Sequence, residues 1–171
     1  MRRPRGARPA PAVEILVECE LWKGRRGVRP LLRRAIAEAA AALSTRAARS
    51  TSGAELAIVL TDDSAIRELN RTWRGKNEPT NVLAFPTERR AKPQRLLGDI
   101  VIAYETLARE ATAERKPFTH HLAHLAVHGF LHLCGYDHET DKQATAMERL
   151  EVAILARLRI PHPYIAHGRS G

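Results

Sequence analysis

The sequence predicts an α+β domain, a mixed, mostly parallel sheet of about four strands packed against helices. Three observations predict it. Short period-two apolar segments and longer amphipathic segments intermix along the chain without a clean strand–helix–strand rhythm. The 171 residues, 44% of them apolar, suffice for one domain with a real core and would crowd two. A charged fraction of 27% is ordinary globular usage, which excludes a wholly disordered or fibrous chain.

Residues 1–11, MRRPRGARPAP, read as a disordered basic arm. No apolar segment follows to make it a secretory signal, and its prolines argue against a transit helix. Val13, Ile15, Val17 and Cys19 then alternate with Glu14, Glu18 and Glu20, as in a strand with one wet side. Pro30 suits the first turn of a helix, and LLRRAIAEAAAALSTRAAR continues it in one run that Gly53 closes. Ala54–Leu60 reads as the second strand. Thr61 or Asp62 caps a short helix over 63–72, with Ile66 and Leu69 facing inward.

Trp73–Asn81 (WRGKNEPTN) reads as a polar loop in which Asn77, Thr80 and Asn81 are turn formers first and substrate contacts second. Val82–Phe85 is a short strand stopped by Pro86, residues 87–96 a charged turn, and Gly98–Ala103 another strand. Tyr104–Lys116 is a helix. Pro117 starts the next, over 118–134, and Gly135 stops it. Thr140–Leu158 is a final amphipathic helix with Met147, Leu150, Ile154 and Leu158 on one face. The domain thus spans 12–160, and the tail 161–171 reads as loose.

Lysine and arginine number 28 against 19 acidic residues, a net charge of +9 that favours an anionic partner, most often nucleic acid. Cys19 and Cys134 are too few for a disulfide framework and fit a reducing, cytoplasmic compartment. No apolar run approaches the roughly 18 residues of a membrane span.

Five of the eight histidines fall between His120 and His132. Residues four apart on a helix are neighbours, so His128 and His132 can share one metal ion. A chain that turns at Gly135 brings His138 to the same ion. Three neutral imidazoles plus water make an open zinc site of the catalytic kind. The segment HGFLHLCGYDH matches the three histidines and the glycine of the metzincin signature HExxHxxGxxH, so the helix is metzincin-like. It lacks the glutamate that serves those proteases as base, because Gly129 stands there. The residues therefore read as metal-assisted hydrolysis of something other than peptides. His120, His121 and His124 read as surface or supporting residues, and Cys134 as a buried thiol.

HGFLHLCGYDH resembles the signature of the YbeY family of bacterial rRNA-maturation endoribonucleases. LNRTWRGKNEPTNVLAFP (Leu69–Pro86) resembles that family's arginine-containing loop and the strand after it, and LLGDIVI (Leu96–Ile102) its Gly-Asp-Ile strand. The resemblance covers Val13 to Leu158. It implies a zinc-dependent, single-strand-specific endoribonuclease that matures the 3′ end of small-subunit rRNA and serves ribosome quality control. Its partners would be rRNA and ribosomal subunits, with no membrane. By the same resemblance His128, His132 and His138 hold one zinc ion, and Arg74 is the essential basic residue beside it.

Arg74 suits that role chemically, because a guanidinium is always charged and matches phosphate with two parallel hydrogen bonds. Lys76 adds a second, less directional charge. Asp99 either hydrogen-bonds a zinc-ligand histidine or caps a turn, and Asp137 fits either job. Trp73 and Phe85 either stack on bases or belong to the core. The attacking group is water or the RNA 2′-hydroxyl. Two other classes compete. A zinc peptidase or amidase would need Glu139 as its base. A non-enzymatic ribosome-associated zinc factor would need Cys134 or Asp137 as a fourth ligand.

Overall fold

The computed structural model describes residues 8–88 and 95–164, the side chain of Thr45 excepted. Residues 1–7 of the basic arm, 89–94 of the charged turn and 165–171 of the tail lie outside the described residues. Four strands form one sheet: β1 (Ala12–Val17), β2 (Glu55–Thr61), β3 (Val82–Pro86) and β4 (Leu96–Ala103), in spatial order β1-β2-β4-β3. β1, β2 and β4 run parallel, and β3 pairs antiparallel with β4 at the edge. The mixed, mostly parallel sheet is therefore the one expected. Pro86 closes β3 at the edge, where a residue without an N–H removes no central ladder bond.

The single helix expected up to Gly53 is two helices, α1 (Val28–Ala42) and α2 (Thr45–Thr51). Leu43 turns extended to bury its side chain, and Ser44 then caps α2 by accepting from the Ala47 N–H. β1 ends at Val17, short of Cys19, which leads into a 3₁₀ turn at Glu20–Trp22. There the Trp22 indole N–H donates to the Thr61 carbonyl at 2.8 Å.

α3 (Asp63–Arg74) starts at an Asp62 cap, whose carboxylate accepts from the Ala65 N–H at 2.8 Å. It runs past 72, so Trp73 and Arg74 belong to its last turn rather than to a loop. Gly75, at φ 68°, supplies the left-handed stop. α4 (Tyr104–Ala113) ends three residues before Lys116. α5 (Phe118–Leu133) and α6 (Asp141–Arg157) lie where expected, and Thr140 with Gln143 closes a capping box on α6.

α5 is the central helix. Leu122, Ala126, Val127, Phe130 and Leu131 are fully buried on it, between the sheet and helices α1 and α6. α3 covers the other sheet face through Ile66, with Leu69 partly buried beside Leu83 and Val101. Among the described residues, no helix is long and apolar enough to cross a membrane.

Two details position the site. A Cβ built on Gly129 would lie 2.8 Å from Ile100 Cγ2, so α5 meets β4 there at backbone distance. Gly129→Ala gains about 1 kcal/mol of helix propensity. The overlap with a packed, branched side chain costs about 1–3 kcal/mol. The expected result is a lower melting temperature by calorimetry. The second detail is the tail, whose first residues are not loose. Lys116 Nζ donates to the Pro163 carbonyl at 2.7 Å, and the Tyr164 hydroxyl donates to Glu151.

Candidate metal centre and cleft

One turn of α5 separates His128 from His132, and their Nε2 atoms stand 3.0 Å apart. α5 ends at Cys134. Gly135, at φ 95°, then turns the chain back, a conformation that favours a residue without a Cβ. The return brings the His138 ring to 5.1 Å from that of His132 and 5.7 Å from that of His128, centroid to centroid. One nitrogen from each of the three rings lies within 4.8 Å of the others. Asp137 sets the loop, its carboxylate accepting from the His138 backbone N–H at 2.7 Å.

The three rings fit a metal ion. Imidazole nitrogens suit zinc and other first-row divalent ions, and three of them leave a position open for water or substrate. His132 is half-buried, and burial, followed by the positive charge of His128 and His138, holds its pKa below the usual histidine value. It is therefore neutral near pH 7, the form a metal needs. Among the described residues no fourth side chain joins the group.

The trio opens into a cleft of 470 Å³ walled by Val82, Ala84 and Pro86 of β3, and Arg74 lines the same cleft. Among the described residues Arg74 has no carboxylate partner. Its neighbour Arg71 is paired with Glu68 at 2.6 Å, and Arg109 with Asp63 at 2.8 Å. Trp73, next to Arg74, is 68% exposed and meets Phe85 edge-on, so its core reading does not hold. Glu139 stands at the cleft mouth.

Two expected residues lie elsewhere. Lys76 is exposed beyond Gly75 and does not line the cleft. Asp99 is on the wrong side of β4 to serve a zinc-ligand histidine. Gly98 and Ile100 meet Leu133 and Gly129 of α5, and side chains alternate along a strand, so Asp99 faces away.

Sequence reasoning missed three participants, Glu151, Tyr164 and Glu110. Glu151 of α6 is 1% exposed, with Oε1 2.5 Å from His128 Nδ1 and Oε2 3.0 Å from His124 Nε2. The Tyr164 hydroxyl completes that group. Next to it, Glu110 Oε2 lies 2.7 Å from His121 Nε2 and accepts from the Asn81 amide at 2.9 Å, so Asn81 is more than a turn former. Asn81, Glu110, His121, His124 and Tyr164 line a second cleft of 650 Å³ that shares His128 and Val82 with the first, and Glu151 is buried behind it. The signal for Glu151 was present, since a glutamate four residues after Met147 falls on the buried stripe of α6.

The chain matches the family model described as Endoribonuclease YbeY over residues 25–159. Curated relatives carry that same description. One from Nitrobacter hamburgensis is 54% identical over 93% of this chain and 85% of its own length. One from Nitrobacter winogradskyi is 56% identical over 90% and 82%, and one from Rhodopseudomonas palustris 52% over 93% and 84%. A solution structure from Thermotoga maritima shares the fold at TM-score 0.51 and 23% identity, covering 86% of this chain and 91% of that one.

Proposed function

Because this chain belongs to the YbeY endoribonuclease family, we propose that it is a zinc-dependent endoribonuclease cutting single-stranded RNA at the His128–His132–His138 centre. Its substrate is rRNA, at the 3′ end of the small-subunit molecule, its partners are ribosomal subunits, and its place is the cytoplasm. The juxtaposition that carries this reading is three convergent imidazoles and one unneutralised guanidinium in a single cleft.

Phosphodiester cleavage needs a nucleophile and a means of holding negative charge on phosphorus. When bound, zinc supplies Lewis acidity, polarising a phosphoryl oxygen and lowering the pKa of water to about 7. Arg74 binds the phosphate through its planar fork and holds the charge that grows on the non-bridging oxygens in the transition state. The exposed Trp73 offers a face on which a base can stack beside that phosphate. The net charge of +9 draws the RNA in. Affinity for single strands is expected to fall with salt, with a slope near −0.7 per phosphate contact.

The position that carries the base in HExxH peptidases is here a glycine pressed against Ile100, which leaves Glu139, in the cleft lining, as the base a peptidase reading needs. The test uses the full chain purified without chelator. It should carry one zinc and cut single-stranded but not duplex rRNA fragments, and chelation should abolish cutting. Products ending in a 2′,3′-cyclic phosphate would assign the attack to the RNA 2′-hydroxyl, and a 3′-hydroxyl paired with a 5′-phosphate would assign it to water. A zinc-loaded protein that binds ribosomal subunits but cuts no RNA would overturn the nuclease reading in favour of a non-catalytic factor.

A further inference from the structure

Glu151 is the one buried carboxylate among the described residues, and it sits on the α6 face that also buries Met147, Ile154 and Leu155. A leucine there would continue the core. Burying an ionised carboxylate is costly unless its oxygens are fully hydrogen-bonded. Here they are, by His128 Nδ1, His124 Nε2 and the Tyr164 hydroxyl. A carboxylate is acceptor-only, so each of these three partners must present it with a proton.

That requirement fixes a tautomer. A neutral imidazole carries one N–H. If His128 gives its proton at Nδ1 to Glu151, its Nε2 is a bare lone pair, and that atom is the one facing His132 Nε2 at 3.0 Å. We propose that Glu151 is a positioning residue for the metal centre: it holds His128 in the Nδ1-protonated tautomer, with Nε2 free to ligate.

His124 and Tyr164 position the carboxylate in turn. The His124 ring has no partner at its buried Nδ1, so its polar anchorage comes from Glu151 and the Tyr164 hydroxyl at Nε2. Tyr164 is held by the tail segment that Lys116 ties down through the Pro163 carbonyl. Burial, and then the Glu151 charge, raise the tyrosine pKa, so its hydroxyl keeps its proton. The chain therefore runs from the C-terminal segment through Tyr164 and Glu151 to a ligand histidine. Carboxylate–histidine pairs of this kind orient ligands and raise their basicity.

The inference rests on the reading that the three histidines hold zinc. Its test has two readouts besides cleavage. The first is long-range ¹H–¹⁵N correlation on histidine-labelled, metal-stripped full chain at alkaline pH. The expected spectrum shows His128 protonated at Nδ1 and bare at Nε2, and a proton on Nε2 would overturn the proposal. The second is zinc affinity by chelator competition. Glu151→Gln offers an amide donor to Nδ1, and should shift the tautomer and weaken zinc by about 10–100-fold. Tyr164→Phe, which keeps the ring, should weaken zinc less and in the same direction, and it replaces Glu151→Gln as the test if that variant fails to fold. A lowered melting temperature with unchanged tautomer and zinc affinity would mean a purely structural carboxylate and overturn the proposal. Equal zinc binding by wild type and both variants would overturn it while leaving the metal reading intact. A wild type that takes up no zinc would overturn both.

Discussion

Replacing Arg74 by alanine is expected to slow cleavage of single-stranded rRNA by about a hundred- to a thousandfold, the range for loss of one preorganised transition-state donor. Zinc content should not change, because Arg74 lines the cleft but is not one of the three converging side chains. Stability should hardly change either, because the side chain is exposed and pairs with no carboxylate among the described residues. Arg74→Lys should recover only part of the rate, since an ammonium restores the charge but not the fork. The decisive measurement is single-turnover cleavage beside zinc content on the same preparations. A variant that loses zinc as well as rate would show Arg74 acting through the metal site rather than on the phosphate.

His138→Ala is the other large effect. It removes one of three ligands from an exposed loop, outside any helix or strand, so the fold should survive it. Zinc affinity should drop by more than the roughly 10–100-fold attributed to supporting residues. Cleavage should fall to the level of chelated wild type, and added zinc should restore the latter but not the former. Acid should act in the same direction. Histidines must be neutral to ligate, so zinc is released as the pH falls through their range. His132, whose pKa burial holds below the usual histidine value, takes up a proton later in the descent than an ordinary histidine does. Equilibrium dialysis between pH 8 and 5 would follow the release.

The convergence of the three histidines was legible in the sequence because it is local. Two helical positions four apart, a glycine stop and a third histidine lie within HGFLHLCGYDH, and the backbone geometry of one helix end fixes them. Arg74 was legible only through the resemblance of its neighbourhood, and its place was misread. WRGKN looks like loop, yet Gly75 marks the end of a helix whose last turn holds Trp73 and Arg74.

The strands were read from their alternation, but alternation alone does not say which side faces α5, and so Asp99 stayed open until its partners were seen. The break between α1 and α2 was hidden because an alanine-rich run supports helix on both sides of Ser44. Glu151 was hidden for a different reason. Its partners lie 23, 27 and 13 residues away, and only the packing of α6 and the tail on α5 brings them together.

The contact between Gly129 and Ile100 limits the evolution of this scaffold. A zinc peptidase of the HExxH type carries its base at the position after the first histidine. Here that position has no room for even one added carbon without displacing Ile100. A glutamate acquired alone would lift α5 from β4 and disturb the ligands it was meant to serve. A glutamate at 129 therefore needs a smaller residue at position 100 to make room for it. On this scaffold two chemistries with nearly the same histidine signature are separated by a coupled pair of substitutions rather than by one.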